Sequence, residues 1–182
     1  KLLCMFFVSE LAVAHASFRG VVEKLMELYG KKIAPFYQPI RENEKFVGYV
    51  NVMKMAGRRF TGIGSREECE IPDYCRPNLD IYREAMMDAV AETSEEFMGR
   101  YFAGDEFAVG EIRAAMKMNV DDGSIVPVSM GSSTELRNIH KLLNDIVELL
   151  PYPDKMERAG INMKTNEIFQ ADYNFSKSKS AY

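Results

Sequence analysis

The sequence predicts an α/β fold in which a partial parallel sheet carries an inserted α+β segment. Two units indicate the sheet, because each places an apolar strand before a polar loop and a helix, once over residues 2–28 and again over residues 125–150. The stretch between them has a different character, with short extended runs first and helices later. We therefore expect two parallel strands with their helices, interrupted by a subdomain of strands followed by helices.

Composition argues against several classes of protein. The 182 residues carry a net charge of -4 and contain no block of basic residues, which argues against binding RNA or DNA through the chain's own surface. The apolar run over residues 2–8 is too short to cross a membrane or to serve as the apolar part of a signal peptide. It is better interpreted as a core strand.

The three cysteines are Cys4, Cys69 and Cys75. An odd count without regular spacing is typical of a reducing compartment, so we expect a cytoplasmic protein. The spacing of Cys69 and Cys75 fits no usual pair of zinc ligands, and neither His15 nor His140 completes a set. We expect no metal site and no cofactor in this chain.

The first unit continues from its strand into a predicted helix over residues 16–28. Val21, Val22, Leu25 and Leu28 fall at helical spacing, Ser17 is suited to cap the start, and Gly30 is suited to end the helix. Residues 34–40 are then predicted to be extended because prolines bracket them.

The inserted segment is predicted to begin with strands over residues 46–55 and 58–61. Residues 62–78 are rich in glycine, proline, serine and charge, and are predicted to form a loop. A long helix follows, capped by Asn78 or Asp80, and continues to a break at Gly104. Its apolar stripe contains Ile81, Met86, Met87, Ala89, Val90 and Phe97.

A second helix is predicted over residues 109–118, and residues 121–123 form a turn into the strand 125–130. The last helix is predicted over residues 134–150, where prolines follow it. Its predicted buried side contains Leu136, Ile139, Leu142, Leu143, Ile146, Val147 and Leu150. Residues 168–175 predict the entry into one further strand.

Several stretches of this chain closely resemble bacterial elongation factor G, a translational GTPase that drives GTP-dependent ribosomal translocation. They are residues 70–84, 88–92, 95–97, 100–104, 123–128 and 149–153. The resemblance implies the following division: residues 1–33 and 120–152 as the back half of a P-loop GTPase-type domain, 34–119 as its insertion subdomain, and 153–182 as a linker and the first strand of a truncated barrel domain.

In that family the strand that corresponds to residues 2–8 ends in the guanine-reading motif Asn-Lys-x-Asp. Its Asp carboxylate accepts two N–H bonds from the base. The resemblance places Ser9, Glu10 and Ala12 at the three specified positions. Ala12 has no acceptor, and Glu10 brings a negative charge where the family has a cation. Losing such a pair costs on the order of 2 kcal/mol of binding free energy.

The resemblance also maps a second guanine contact, made by backbone N–H groups, to Gly131, Ser132 and Ser133. The alternative is that these residues simply cap the last helix, and we favour it because the partner motif is altered. Nothing in the chain matches Gly-x-x-x-x-Gly-Lys-Ser/Thr, so we expect this chain not to hydrolyse GTP. GTP and magnesium are the ligands that the resemblance implies for full-length members of the family.

The insertion subdomain of the family is implied to touch the ribosomal stalk protein. Glu92, Glu95 and Glu96 are the candidates for receiving a basic partner, and the alternative is an ordinary solvated helix face. The apolar strand 2–8 lacks its neighbour, so self-association through that edge is a further prediction.

Two functional hypotheses remain. In the first, the chain is a piece of an elongation factor G-like GTPase that serves as a protein-interaction module on the ribosome. The alternative is a stand-alone, nucleotide-blind α/β adaptor protein. A start inside a GTPase-type domain and an end inside a barrel strand favour the first.

Overall fold

A computed structural model describes residues 3–13, 15–151 and 159–170. The chain divides into two compact units, residues 1–150 and 151–182. The strands in chain order are β1 Phe6–Val8, β2 Ile33–Pro35, β3 Tyr37–Glu42, β4 Lys45–Asn51, β5 Ala56–Phe60, β6 Arg66–Cys69, β7 Val126–Met130, β8 Ala159–Ile161 and β9 Ile168–Gln170. The helices are α1 Phe18–Tyr29, α2 Arg76–Ala91, α3 Glu95–Ala103, α4 Val109–Asp121 and α5 Ile139–Leu149.

The first unit contains a parallel sheet with strand order β1-β7-β2. The α/β class predicted from the sequence is therefore confirmed. The sheet has a third strand, β2, from a stretch that the sequence predicted only as extended. Ile33 and Val128 are almost completely buried, so the strands lie in the core even though they are short.

The helix after β1 begins and ends where the sequence predicts. The Ser17 hydroxyl accepts a hydrogen bond from the backbone N–H of Gly20 at 3.0 Å, which satisfies one of the free donors of the first turn. At the other end Gly30 adopts φ 74°, a conformation that favours glycine.

An antiparallel sheet with order β3-β4-β5-β6 forms the next layer. The prediction of a loop over residues 62–78 is wrong for residues 66–69, which form strand β6 and pair with β5 along the whole strand. Three of its four residues are exposed, so no apolar alternation marks it in the sequence. Backbone pairing and the ion pair between Arg58 and Glu68, at 2.7 Å, hold this edge strand instead.

The predicted long helix is two helices, α2 and α3, and it starts earlier than expected. Asn78 and Asp80 lie inside α2, whose first turn contains Pro77, a residue with a backbone already suited to that position. The chain breaks at residues 92–94 because the Ser94 hydroxyl accepts from the backbone N–H of Phe97 and starts α3. Of the predicted stripe, Ile81 is exposed, whereas Met86 and Val90 are buried.

The last helix, α5, is shorter than predicted, and its buried side only partly matches the predicted one: Ile139, Leu142 and Leu150 are half-buried. Its first residue is Ile139, and residues 134–138 form turns with Leu136 and Asn138 at positive φ. Leu143, Ile146 and Val147, all predicted to be buried, are exposed. The buried residues of α5 are Asp145 and Leu149.

The second unit contains the antiparallel pair β8–β9. The predicted strand over 168–175 is confirmed for residues 168–170, and its remainder lies outside the described residues. Among the described helices of the chain, none has both the length and the apolar character needed to cross a membrane.

Candidate functional site

The two loops that the sequence singles out meet at one edge of the parallel sheet. Strands β1 and β7 are adjacent and parallel, with Val8 opposite Met130, so the loops that follow them emerge side by side. The backbone N–H of Gly131 donates to the Val8 carbonyl at 3.0 Å, and that of Leu11 donates to the Gly131 carbonyl at 3.4 Å. Residues more than a hundred positions apart thus form one surface.

The loop after β1 is a tight turn held by a buried anchor. Glu10 has φ 61°, and its carbonyl accepts from the backbone N–H of Val13 at 3.0 Å. Leu11 is 1% exposed and fixes the turn to the core, while Ser9 is exposed and Ala12 is half-buried. The side chains available to a ligand at this loop are therefore Ser9 and Glu10.

Arg41, from β3, holds the same loop in place and was missed by the sequence analysis. Its guanidinium donates to the carbonyls of Leu11 at 2.9 Å, Ala16 at 3.1 Å and Val13 at 3.1 Å. Three charged hydrogen bonds to one loop restrict its conformation strongly. Arg41 lies 25 to 30 positions from these carbonyls, and no local pattern signals such a contact.

The loop after β7 turns on its own hydrogen bonds. Ser132 is buried, its hydroxyl accepts from the backbone N–H of Glu135 at 3.2 Å, and its backbone pairs in both directions with Arg137 at 3.0 Å. The Asn138 amide donates to the Met130 carbonyl at 2.8 Å. These contacts build a loop before α5 rather than a cap on it, because α5 starts only at residue 139.

Gly131 is required by the close approach of its neighbours. A Cβ at this position would lie 2.6 Å from the Arg137 carbonyl oxygen and 2.9 Å from the Phe7 ring, closer than real side chains approach. Glycine therefore fits the packing here, whatever the loop binds.

One side-chain contact joins the two loops. The Ser133 hydroxyl donates to the Glu10 carboxylate at 2.7 Å. The two loops that the resemblance assigns to guanine recognition thus lie side by side, and the Glu10 carboxylate of one loop contacts the other.

The three acidic candidates of the insertion lie at the junction of α2 and α3. Glu92 follows the last turn of α2, and Glu95 and Glu96 occupy the first turn of α3; all three are exposed. Carboxylates at the start of a helix are favoured by its dipole, so Glu95 and Glu96 also have a structural reason to be there. Phe102, further along α3, is 81% exposed.

The remaining ionisable candidates from the sequence form no catalytic set. His15 lies 3.6 Å from Glu44 on the surface, and His140 lies against the Arg66 guanidinium. Burial, together with that cation, lowers the pKa of His140. In the described part of the chain no three His, Cys, Asp or Glu side chains are grouped as metal ligands.

Comparison with known proteins gives a consistent result. No family model matches the chain. Elongation factor G of Neorickettsia sennetsu is 34% identical over 166 residues, which are 89% of this chain and 24% of that protein. A crystal structure of a Thermus thermophilus protein matches with a TM-score of 0.73 and 27% identity, over 85% of this chain and 23% of that one.

These matches confirm the resemblance to elongation factor G that the motifs indicate. They also agree with the α/β class, since the solved protein shares this fold. The chain spans about a quarter of the length of each of these relatives.

Proposed function

We propose that this chain is a portion of an elongation factor G-like translational GTPase that contributes a protein-interaction surface and does not itself recognise guanine. In this proposal residues 1–33 and 120–152 belong to the GTPase-type domain, 34–119 to its insertion, and 153–182 to the start of a barrel domain. The supporting observation is the 34% identity to elongation factor G over 89% of the chain.

The contact between Glu10 and Ser133 supports the loss of guanine recognition. By the resemblance, the two loops correspond to those that hold the base in the family, but Ala12 offers no acceptor for its N–H groups. The Glu10 carboxylate accepts from Ser133 at 2.7 Å, and its negative charge replaces the cation that the family has at this position. A missing acceptor that would receive charged hydrogen bonds costs roughly 1.5–3 kcal/mol of binding free energy. Guanine therefore gains little over adenine here.

Phosphate binding and hydrolysis are assigned to the parent protein. The sequence holds no Gly-x-x-x-x-Gly-Lys-Ser/Thr pattern, which elsewhere supplies the phosphate cradle and a magnesium ligand. GTP and magnesium accordingly have no assigned site in residues 1–182.

The interaction surface is the acidic turn, defined as Glu92, Glu95 and Glu96, together with Phe102. Exposed carboxylates attract a basic partner at long range, and an exposed aromatic ring supplies apolar area on contact. We propose a basic domain of the ribosomal stalk protein as the partner, and the ribosome as the setting of the parent's activity.

A second contact is proposed at β1. Within the described residues β1 pairs only with β7, so its other edge is free to pair with another strand. A second copy of this chain is the proposed occupant when no other strand of the parent covers that edge. The stand-alone adaptor remains the alternative function, and it requires the same acidic turn.

The proposal is tested by titrating the chain with the purified stalk protein in calorimetry at low and physiological salt. The test variant replaces Glu92, Glu95 and Glu96 by Gln. A control variant of equal net charge replaces Glu44, Glu67 and Glu70 by Gln, all exposed and in or beside the β3–β6 sheet rather than in α2 or α3. We expect the test variant to bind about tenfold more weakly than the control, and wild-type binding to weaken with salt.

Equal affinities of the two variants for the stalk protein would show that the acidic turn does not contribute to binding. Phe102→Ala adds an independent measurement, since its loss of affinity should be largely insensitive to salt. If wild-type chain and stalk protein do not bind at all, the interaction proposal fails, whereas the resemblance to elongation factor G stands.

A further inference from the structure

We infer a second binding site, for a phosphoryl anion, in the cavity between the four-stranded sheet and α5. The cavity has a volume of about 270 Å³ and lies within the first compact unit. It is formed by other residues than the two loops at the end of β1 and β7, and it is independent of the proposed stalk contact.

The lining of this cavity is strongly basic although the chain is acidic overall. Two carboxylates line it, Asp145 and Glu148. Five cationic side chains line it, each from a different strand, helix or turn: Lys54, Arg58, Arg66, Arg113 and Lys141. A group of like charges converging on one concave site is costly unless an anion binds there.

The two carboxylates do not neutralise this excess. Asp145 is 3% exposed and accepts from the Tyr37 hydroxyl at 2.8 Å, the Ser129 hydroxyl at 3.2 Å and the Lys141 ammonium at 2.6 Å. Burial raises the pKa of Asp145 despite these partners. The Asp145 carboxylate is therefore occupied by hydrogen bonds to Tyr37, Ser129 and Lys141. The Glu148 carboxylate lies 4.0 Å from the Arg113 guanidinium, at the limit of an ion pair.

Two of the cations have no carboxylate partner among the described residues. The Arg66 guanidinium lies against the His140 ring, which offers no negative charge, and no ion pair of the Lys54 ammonium is found in that part of the chain. Arg58 pairs with Glu68, whose side chain is 82% exposed and therefore largely hydrated. An anion in the cavity would meet cations that are available to it.

Tyr49 adds a hydroxyl donor to the same wall. The residue is 3% exposed, and no hydrogen bond of its hydroxyl is found in the described part of the chain. Burial raises the pKa of Tyr49, while Arg66 and Arg58 act in the opposite direction through their charges, so the phenol stays protonated next to two guanidiniums. A donor without a partner beside guanidinium forks suits an oxygen-rich anion that carries few protons.

The size of the cavity favours a small ligand. Drug-sized ligands occupy sites of roughly 300–1,000 Å³, so 270 Å³ fits a phosphoryl group better than a whole nucleotide. Two sources share this chemistry: free phosphate or diphosphate, and the diphosphate end of a nucleotide whose base stays outside. The test separates them.

The experiment titrates the full chain with inorganic pyrophosphate by calorimetry, in a chloride buffer, with GDP and ADP as parallel ligands. We expect saturable pyrophosphate binding that weakens as salt rises. Equal binding of GDP and ADP, no tighter than pyrophosphate, assigns the contact to free anions. Tighter and equal binding of both nucleotides assigns it to the nucleotide diphosphate.

Four variants locate the site. Lys54→Ala, at an exposed backbone turn, and Arg66→Ala should each weaken pyrophosphate binding about tenfold, and Arg66→Lys should recover part of that loss. Glu148→Gln should strengthen binding because it frees Arg113. Lys24→Ala is the control, since Lys24 pairs with Glu27 on the surface of α1.

Circular dichroism is used to check that each variant is as fully folded as the wild-type chain. The proposal is overturned if pyrophosphate shows no saturable binding at millimolar concentration. It is equally overturned if Lys54→Ala and Lys24→Ala lower the affinity to the same extent, which would indicate general charge attraction. Neither outcome bears on stalk-protein binding by the acidic turn.

Discussion

The loops at the end of β1 and β7 and the cavity beneath α5 form an instructive contrast. The loops are the region that the resemblance marks as a binding site, but their polar groups are largely bound to one another: Ser133 to Glu10, and Ser132 to Glu135 and Arg137. The cavity carries no family motif. Within the described residues, however, Arg66 and Lys54 have no carboxylate partner, and the Tyr49 hydroxyl has no hydrogen-bond partner. A motif can therefore locate a binding site, but polar and charged groups without partners within the protein are also needed for the site to bind a ligand.

Gly131→Val gives the largest expected effect on the loop side of this comparison. The new side chain would overlap the Arg137 carbonyl and the Phe7 ring, so we expect the free energy of unfolding to fall by about 3 kcal/mol. The measurement is urea denaturation followed by circular dichroism. Gly99→Ala is the matched control, because a Cβ at this position of α3 meets nothing within 4 Å. The control should gain about 0.5–1 kcal/mol; an unchanged Gly131→Val protein would show that the loop adapts freely.

Arg41→Ala should rank second, since it removes the donors that hold the loop after β1. We expect a loss of about 2 kcal/mol, because the carbonyls of Leu11 and Ala16 lose charged hydrogen bonds. Hydrogen exchange at residues 11–13, 15 and 16 measures the local effect, which should be faster exchange at these amides than in the wild-type chain. Arg19→Ala removes only a surface pair with Glu23 and should change stability by less than about 0.5 kcal/mol. Similar losses in both variants would mean that Arg41 does not hold the loop.

Asp145→Asn tests the cavity side through pH. Burial raises the pKa of Asp145, so the folded state binds its proton more tightly than the unfolded state. Stability from this group is therefore largest below the unfolded pKa, about 3.9, and falls as pH rises through the folded value. The Asn variant should lack that fall in thermal midpoint. Parallel curves for the two proteins would contradict the raised pKa.

Ser133→Ala should have the smallest effect. Its hydroxyl makes one exposed contact with Glu10, so we expect a change of about 0.5 kcal/mol or less in thermal unfolding. A loss several times larger would mean that this contact joins the two loops more firmly than its exposure indicates.

Elements whose signals are local could be predicted from the sequence. Ser17 and Gly30 fix both ends of α1, because a cap and a left-handed glycine act within one turn. The strands predicted over 46–55 and 58–61 exist, but β4 ends at Asn51 and β5 already begins at Ala56, so the turn between them lies earlier than predicted. The meeting of the two loops was found through the resemblance, which supplied the adjacency of β1 and β7.

The direction of α5 could not be predicted, because long-range contacts set it. Leu143, Ile146 and Val147 form an apolar face that is exposed, whereas Asp145 is buried together with Leu149. The partner of Asp145, Tyr37, lies 108 positions away, and no periodicity in residues 139–149 reports that hydrogen bond. The basic cavity was missed for the same reason, since its cations are scattered between residues 54 and 141.

The central claim is that the joined loops no longer distinguish guanine, and nucleotide titration tests it most directly. Labelled GDP and the control nucleotides ADP and ATP are titrated into the chain and into the variant Ser9→Asn/Glu10→Lys/Ala12→Asp. We predict no preference of the wild-type chain for GDP over ADP, even at millimolar concentration, and a measurable GDP preference in the variant. Guanine-selective binding by the wild-type chain would contradict the account, because it would mean that the loops around Gly131 and Ser133 still hold the base without Ala12 supplying an acceptor.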